Sequence, residues 1–342
     1  MDPRQLAVAE WAADALKQHS SVNVIAELES VAGDASFRRY FRLRYRQRSW
    51  IVVDAPPEYE DCRLFVHIAK QWYAQGVRVP QPLAVDAERG FMLLEDFGDT
   101  WLWHALTQPS QTQEQVAGWY HKAIEQLLQL QQLPSKDLRA YDAEMLQREM
   151  ALFPHWLCEQ HLQLTLNADE KTMLQRTFAL LAEQALQQPQ VAVHRDYHSR
   201  NLMVLEDGPL GILDFQDAVA GPPTYDLVSL LRDCYLHWPD AWVEELAGEY
   251  WEAARPAGIY LNDWSNFRRD FDLMGLQRHL KAAGIFARLS IRDGKSGYLK
   301  DIPNTCRYLL DISARYPEFE PFHDWLQLRV MPELLQEVGE SA

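Results

Sequence analysis

The sequence predicts an α+β chain in two parts, a small β-rich N-terminal lobe (residues 1–97) and a larger, mainly helical C-terminal lobe (98–342). Three observations carry this expectation. Phe41, Leu43 and Tyr45 alternate with Arg42, Arg44 and Arg46, the period of two that a half-buried strand requires. Beyond Gly98 the apolar residues recur mostly at helical spacing. The length, 342 residues, exceeds the roughly 250–300 at which a single core stops growing.

The elements follow in chain order. Leu6, Ala9, Ala13 and Leu16 mark one face of a first helix, and Glu10 and Asp14 inside that pattern exclude a signal-peptide core. Gly33-Asp34-Ala35-Ser36 supplies the turn that opens the strands. From Glu60 to about Gln75 the helical period returns, with Leu64, Ile68, Ala69 and Trp72 on one face and Gly76 as its stop. Two short apolar runs, 83–85 and 90–94, read as further strands, and Glu95-Asp96-Phe97-Gly98-Asp99 ends the second. Helices are expected near 112–133, 140–162, 168–188, 223–236, 240–256, 263–290 and 303–315. One segment departs from this pattern. Apolar runs at 202–205 and 210–213 flank Glu206-Asp207-Gly208-Pro209, the arrangement of a β-hairpin.

Composition narrows the function. Lys and Arg number 33 against 49 Asp and Glu, a formal charge of −16, which argues against a nucleic-acid surface because phosphate backbones are held by dense basic patches. No run reaches the ~18 apolar residues of a transmembrane helix. Cys62, Cys158, Cys234 and Cys306 form no CxxC pair, so neither a zinc site nor a disulfide framework is indicated. A cytoplasmic protein without membrane or nucleic-acid partners is expected.

The hairpin carries the chemistry. Asn201 precedes its first strand and Asp214 follows its second, so direct antiparallel pairing would bring the two to one open end, about 4.5–5.5 Å apart between Cα atoms. An amide oxygen beside a carboxylate suits Mg²⁺, a hard cation that shares its shell with water and substrate phosphates. Asp196 lies five residues upstream of Asn201. A His-x-Asp-x-x-x-x-Asn loop followed by Asp-Phe at a strand end is the layout of a phosphoryl-transfer site, in which the first Asp accepts a hydroxyl proton. His194 is expected to bond loop backbone, and Asp226 either to cap a helix or to brace the loop from beneath.

On these residues, with His198 two positions after Asp196, the chain resembles the aminoglycoside phosphotransferase and choline kinase group of the protein-kinase-like superfamily. Kinases acting on proteins usually carry Lys where His198 stands. A closer likeness is to the bacterial anomeric sugar kinases, through GDASFRRYFR (33–42), VVDAPPE (52–58), HRDYHSRNLM (194–203), ILDFQDA (212–218), GIFARL (284–289) and DGKSGYLKDIP (293–303). Those enzymes phosphorylate N-acetylmuramic acid and N-acetylglucosamine at C1 in peptidoglycan recycling.

The resemblance implies a protein-kinase-like two-lobe fold, ATP and Mg²⁺ as cofactors, and an amino-sugar substrate. It implies Asn201 and Asp214 at the metal, Asp196 at the acceptor hydroxyl and Arg200 at the moving phosphoryl group. Gly33, Ala35, Ser36 and Phe37 would line the phosphates with Arg38 and Arg39, and Glu95 and Phe97 would flank adenine. The wider superfamily places Lys or Arg on the third strand at the phosphates, where this chain has Asp54. The positive charge is therefore expected from Arg38, Arg39 or Arg42. For the acceptor, Arg278, His279 and Lys281 on one predicted helix, with Arg232, either meet a substrate carboxylate or form a solvated helix face. Aminoglycosides and choline remain alternative acceptors, and a non-catalytic pseudokinase is the alternative that Asp54 favours.

Overall fold

The alternation at Phe41–Tyr45 builds the second strand of a five-stranded antiparallel sheet, seen in a computed structural model that describes residues 2–20, 27–31, 37–206 and 208–340. Its strands are β1 (Leu28–Val31), β2 (Arg39–Tyr45), β3 (Arg48–Asp54), β4 (Pro82–Asp86) and β5 (Phe91–Glu95), in the order β1-β2-β3-β5-β4. Four residues of β1 are too few to show a period, and the sequence gives no warning of it. Phe41, Leu43, Trp50, Val52, Phe91 and Leu93 share one face and pack on helix α1 (Pro3–Ser20) through Val8, Ala12, Ala15 and Leu16. The expected stripe through Leu6, Ala9, Ala13 and Leu16 is thus rotated, and Leu6 remains 46% exposed. The small side chains of Ala12 and Ala15 let the helix approach the sheet, which a ranking by hydrophobicity does not reveal.

Helix α2 (Cys62–Ala74) begins at the N-cap Asp61, whose carboxylate accepts from Arg63 N, and buries Cys62, Phe65, Ile68, Ala69 and Trp72. Leu64, expected inward, is exposed, and Phe65 takes the inward position. Phe215, next to Asp214, stacks on Phe65 at 4.7 Å and lies 5.6 Å from Trp72. The strands of the expected hairpin are short, Leu202–Met203 and Gly211–Ile212. They belong to the same compact unit, Met1–Lys122 with Arg200–Asp217. Ile212 N donates to Arg78 O at 2.8 Å and Val204 N to Thr100 O at 2.7 Å, the latter just before helix α3 (Leu102–Thr107). A Cβ on Gly211 would sit 2.4 Å from the Phe97 ring, so only glycine permits this approach.

The division between units falls inside α4 (Gln113–Gln131). The second unit, Ala123–Ser199 with Ala218–Ala342, contains α5 (Ala143–Met150), α6 (Ala168–Gln187), α7 (Thr224–Leu231), α8 (Asp240–Ala254), α9 (Trp264–Asp293) and α10 (Ile302–Ser313). The helix expected over 140–162 is divided: α5 ends at Met150 and a π-helical turn runs Phe153–His161. Pro154, which has no N–H to donate, stands at the break. The 30-residue α9 is buried along most of its length, and a Cβ on Gly284 would lie 2.4 Å from Leu152 C. Three strands of two or three residues, Arg139–Ala140, Val219–Gly221 and Val191–Val193, form a small sheet in that order. The last delivers the chain to His194. All four cysteines are buried and none is in a disulfide. Among the described residues no helix is long and apolar enough to cross a membrane.

Candidate active site

In the second unit, the loop beginning at His194 is held at nearly every residue. Arg195 has φ 77°, a left-handed conformation that costs roughly 1–2 kcal/mol for a residue with a Cβ. Asp226, buried in α7, offsets it by accepting His194 N at 2.6 Å and Arg195 N at 2.9 Å. Asp226 therefore braces the loop from beneath. Burial pushes its carboxyl up to about 7, against the pull of those two donors. Asp196 N donates to His194 Nδ1 at 3.2 Å, and Tyr197 Oη donates to Ala123 O at 2.8 Å. Ser199 donates its N and Oγ to Asp233 Oδ2, at 3.1 and 2.6 Å.

Burial acts against the charge on Asp196, but the field of Lys281, followed by those of His198, Arg195 and His194, brings its carboxyl down to about 2. Lys281 Nζ donates to Tyr225 Oη at 2.9 Å and lies 3.8 Å from Glu149. Glu149 also pairs with Arg195 and accepts from Tyr141 Oη. Burial works against its charge too, and Lys281 and Arg195 hold it below the usual carboxylate range. Glu149 carried no signal in the sequence, being one of two acids on a short helix.

The cations assigned to an acceptor are not on a solvated face; all four are buried. Arg232 pairs with Asp272 at 2.6 Å, and Arg278 donates to Ser229 Oγ at 2.6 Å and to Cys234 Sγ at 3.4 Å. The ring nitrogens of His279 meet Gly275 O and Arg232 O. Burial and then the Arg278 charge press His279 down to about 3, so it is neutral. Of the four, Lys281 acts most strongly on the charge of Asp196.

In the first unit, Leu202 pairs with Ile212 and Met203 with Gly211, and Leu213 N donates to Asn201 O at 2.9 Å. Asn201 therefore faces Leu213, and Asp214 stands one residue beyond the direct pairing expected. Asp214 has φ 61°, so the chain turns left-handed at the carboxylate, whose Oδ1 accepts from Gln216 Nε2 at 2.7 Å. The described residues contain no group of three His, Cys, Asp or Glu that could hold a metal. One amide and one carboxylate leave the remaining positions to phosphates and water, which fits Mg²⁺ and not a metal held by protein ligands alone. The Arg200 guanidinium lies over Trp103 at 5.2 Å.

Asp54 ends β3 fully buried, receiving Arg4 at 2.7 Å and Arg39 at 2.5 Å. Arg39 also pairs with Asp2. Arg42 is committed to Asp96 and Asp99, both at 2.6 Å. Arg38 differs from both. Like Arg42 it is buried, but it pairs with Glu60 at 2.9 Å and keeps its charge against burial through Tyr40, Glu60 and Asp214. Glu60 lies before the Asp61 cap of α2, so its partner is the arginine and not the helix terminus. Gly33, Ala35 and Ser36 lie outside the described residues. Phe37 is 63% exposed and stacks on Tyr59 at 4.4 Å. Glu95 takes a two-pronged bond from Arg78, at 2.6 and 2.5 Å, and Arg78 lies over the ring of Phe97 at 4.7 Å.

An antiparallel sheet with its helix, a His-x-Asp-x-x-x-x-Asn loop and a hairpin ending in Asp-Phe define a phosphotransferase of kinase-like fold. The chain belongs to the phosphotransferase enzyme family, whose pattern matches residues 27–268. The N-acetylmuramate/N-acetylglucosamine kinase of Pseudomonas aeruginosa is 46% identical over 296 residues, 86% of each chain. A protein of the same name from Neisseria meningitidis is 41% identical over 300 residues, 87% of this chain and 89% of its own. Among solved structures, the ADP-bound aminoglycoside phosphotransferase APH(2'')-Ib matches with a TM-score of 0.55 at 12% identity, over 87% of this chain and 97% of its own. That likeness is one of fold.

Proposed function

We propose that the protein is an ATP- and Mg²⁺-dependent kinase that phosphorylates the anomeric C1 hydroxyl of N-acetylmuramic acid or N-acetylglucosamine, in the cytoplasm, as a step of peptidoglycan recycling. The observation that carries this reading is the set Asp196, Asn201 and Asp214 in a chain 46% identical to a kinase named for both sugars. Residues 1–97 would serve the nucleotide and 98–342 the acceptor. Asn201 and Asp214 would hold the Mg²⁺, which when bound neutralises phosphate charge. Asp196 accepts the acceptor proton or orients the hydroxyl, and Arg200 faces the moving phosphoryl group. The loops around Gly33, Ala35, Ser36 and Phe37, with Arg38, receive the phosphates, and Glu95 and Phe97 flank adenine. Because the transition state is loose, position and charge matter more than a strong base. Asp54 lends little to the pseudokinase alternative, since Arg4 and Arg39 neutralise it.

The test is product chemistry. Turnover of ATP over N-acetylmuramate, N-acetylglucosamine, choline and aminoglycosides should be confined to the two sugars, giving an acid-labile phosphate and loss of the reducing end. A stable phosphate ester that leaves the reducing end intact would exclude C1. A second measurement concerns charge. A carboxyl held at about 2 stays ionised at every pH at which the enzyme is assayed. Lys281→Met removes the field that holds it there, so its folded pKa rises and the acid limb of kcat moves to higher pH. An unmoved limb would mean that Lys281 serves only the packing of Glu149 and Tyr225.

A further inference from the structure

Arg288 in α9 feels one acid, Asp293, but makes no ion pair with it. Its Nε is buried and has no hydrogen-bond partner, and no ion pair to it is found among the described residues. Asp293, the acid near it on the helix, is taken by Arg292 through bonds of 2.8 and 2.9 Å. Burial, and then the like charge of Arg292, press the Arg288 guanidinium below its ordinary value. Desolvating a charge without a partner is costly, and the neighbouring residues show what that charge can receive.

Lys281, Ile285 and Arg288 stand at i, i+4 and i+7, along one face of α9. Lys281 is the residue whose field reaches Asp196, and seven residues of helix put Arg288 about 10 Å further on. Between them Ala282 and Ile285 are half-exposed. Phe286 lies on the other flank of that strip and stacks on Tyr298 at 5.6 Å. It also meets Tyr235 at 6.1 Å, and Tyr235 stands edge-on to His198 at 5.4 Å. A row of aromatic rings therefore leads from the loop of Asp196 along one side of the strip, and the guanidinium stands on the other. His198, Tyr235, Tyr298 and Arg288 are each half-exposed, as a surface that receives a ligand must be. Ring faces and a short apolar floor suit the C–H face of a pyranose, and a guanidinium at the far side suits a carboxylate.

We propose that this strip of α9 is the acceptor subsite and that Arg288 binds a carboxylate carried by the sugar at a distance from the hydroxyl facing Asp196. The inference rests on the proposed amino-sugar kinase reading and adds the residue that separates its two acceptors. N-acetylmuramate bears a lactyl carboxylate and N-acetylglucosamine does not, so the second sugar is the internal control for folding and chemistry.

The experiment compares steady-state kinetics of wild type, Arg288→Met and Arg288→Lys on both sugars. Arg288→Met should raise KM for N-acetylmuramate about tenfold or more, the effect of losing a charge-assisted bond. Its kcat, and both constants for N-acetylglucosamine, should stay within about twofold of wild type, and Arg288→Lys should recover part of the loss. Equal effects on the two sugars, or none on either, would overturn the role of Arg288 while leaving the kinase reading intact. A wild-type enzyme that phosphorylates neither sugar overturns that reading and this inference together. Should Arg288→Met not fold, Arg288→Gln, which keeps a polar side chain in place, carries the same comparison.

Discussion

Asp196→Asn will lower kcat by about 10²–10⁴, the usual effect of losing a positioned proton acceptor, and will leave the affinity for nucleotide nearly unchanged. Asparagine keeps the shape of the side chain, and the loop that carries it is fixed independently of its charge. Asp226 holds the backbone of His194 and Arg195, Ser199 is tied to Asp233, and Tyr197 is tied to Ala123. The substitution therefore removes charge and basicity without releasing the loop. It also leaves Lys281 and Arg195 with Glu149 as the remaining carboxylate of their cluster, an imbalance confined to the second unit. Single-turnover kinetics with saturating nucleotide separate the two effects, because binding is read before the chemical step. A variant retaining more than about a tenth of wild-type kcat would remove Asp196 from the chemistry, on the same scale.

What the sequence disclosed, and what it did not, follows from the distance over which each signal acts. The strands around Phe41, the hairpin and the His194–Asn201 loop are local patterns, and each is found where it was expected. The phase of α1 was not legible, because two of the four residues that meet the sheet, Ala12 and Ala15, are alanines that fit by size. The break at Pro154 inside the helix expected over 140–162 was not read from the sequence, and the π-helical segment there lies against α9 at Gly284. Glu149 lies 47 positions before Asp196 and becomes part of the loop's support only through burial beside Arg195 and Lys281. The same limit applies to Arg278, His279 and Lys281. Three cationic or switchable residues close together read equally as a carboxylate-binding cluster or a solvated helix face, and spacing does not reveal that α9 is enclosed at that level. Arg288, about two to three turns further on and half-exposed, was indistinguishable from any other helix arginine until its buried Nε without a hydrogen-bond partner was visible.

Arg38→Met should lower kcat/KM for the Mg²⁺-nucleotide by about 10²-fold or more, within the 2–5 kcal/mol that truncating a buried, hydrogen-bonded charge can cost. Arg39→Met should change it by less than about threefold, since its partners lie outside the site. The two arginines are adjacent, and only their partners distinguish them. Arg39 is spent on Asp54 and Asp2, and Arg4 reaches the same Asp54 from α1, so this group ties the N-terminal helix to the end of β3. Its loss belongs to stability and should lower the urea midpoint. Arg38 pairs with Glu60 and stands within the field of Asp214, beside the carboxylate assigned to the metal. On the proposed reading, a cation there, steadied by an acid ahead of α2, would do for the phosphates what a third-strand lysine does, while Asp54 at the end of β3 is a buried anchor for Arg4 and Arg39. Glu60→Gln should fall between the two variants, because it leaves the arginine in place and removes what orients it. If the catalytic defect follows Arg39 while Arg38→Met only destabilises, the Arg39–Asp54 pair must open when nucleotide binds, and the two arginines exchange roles.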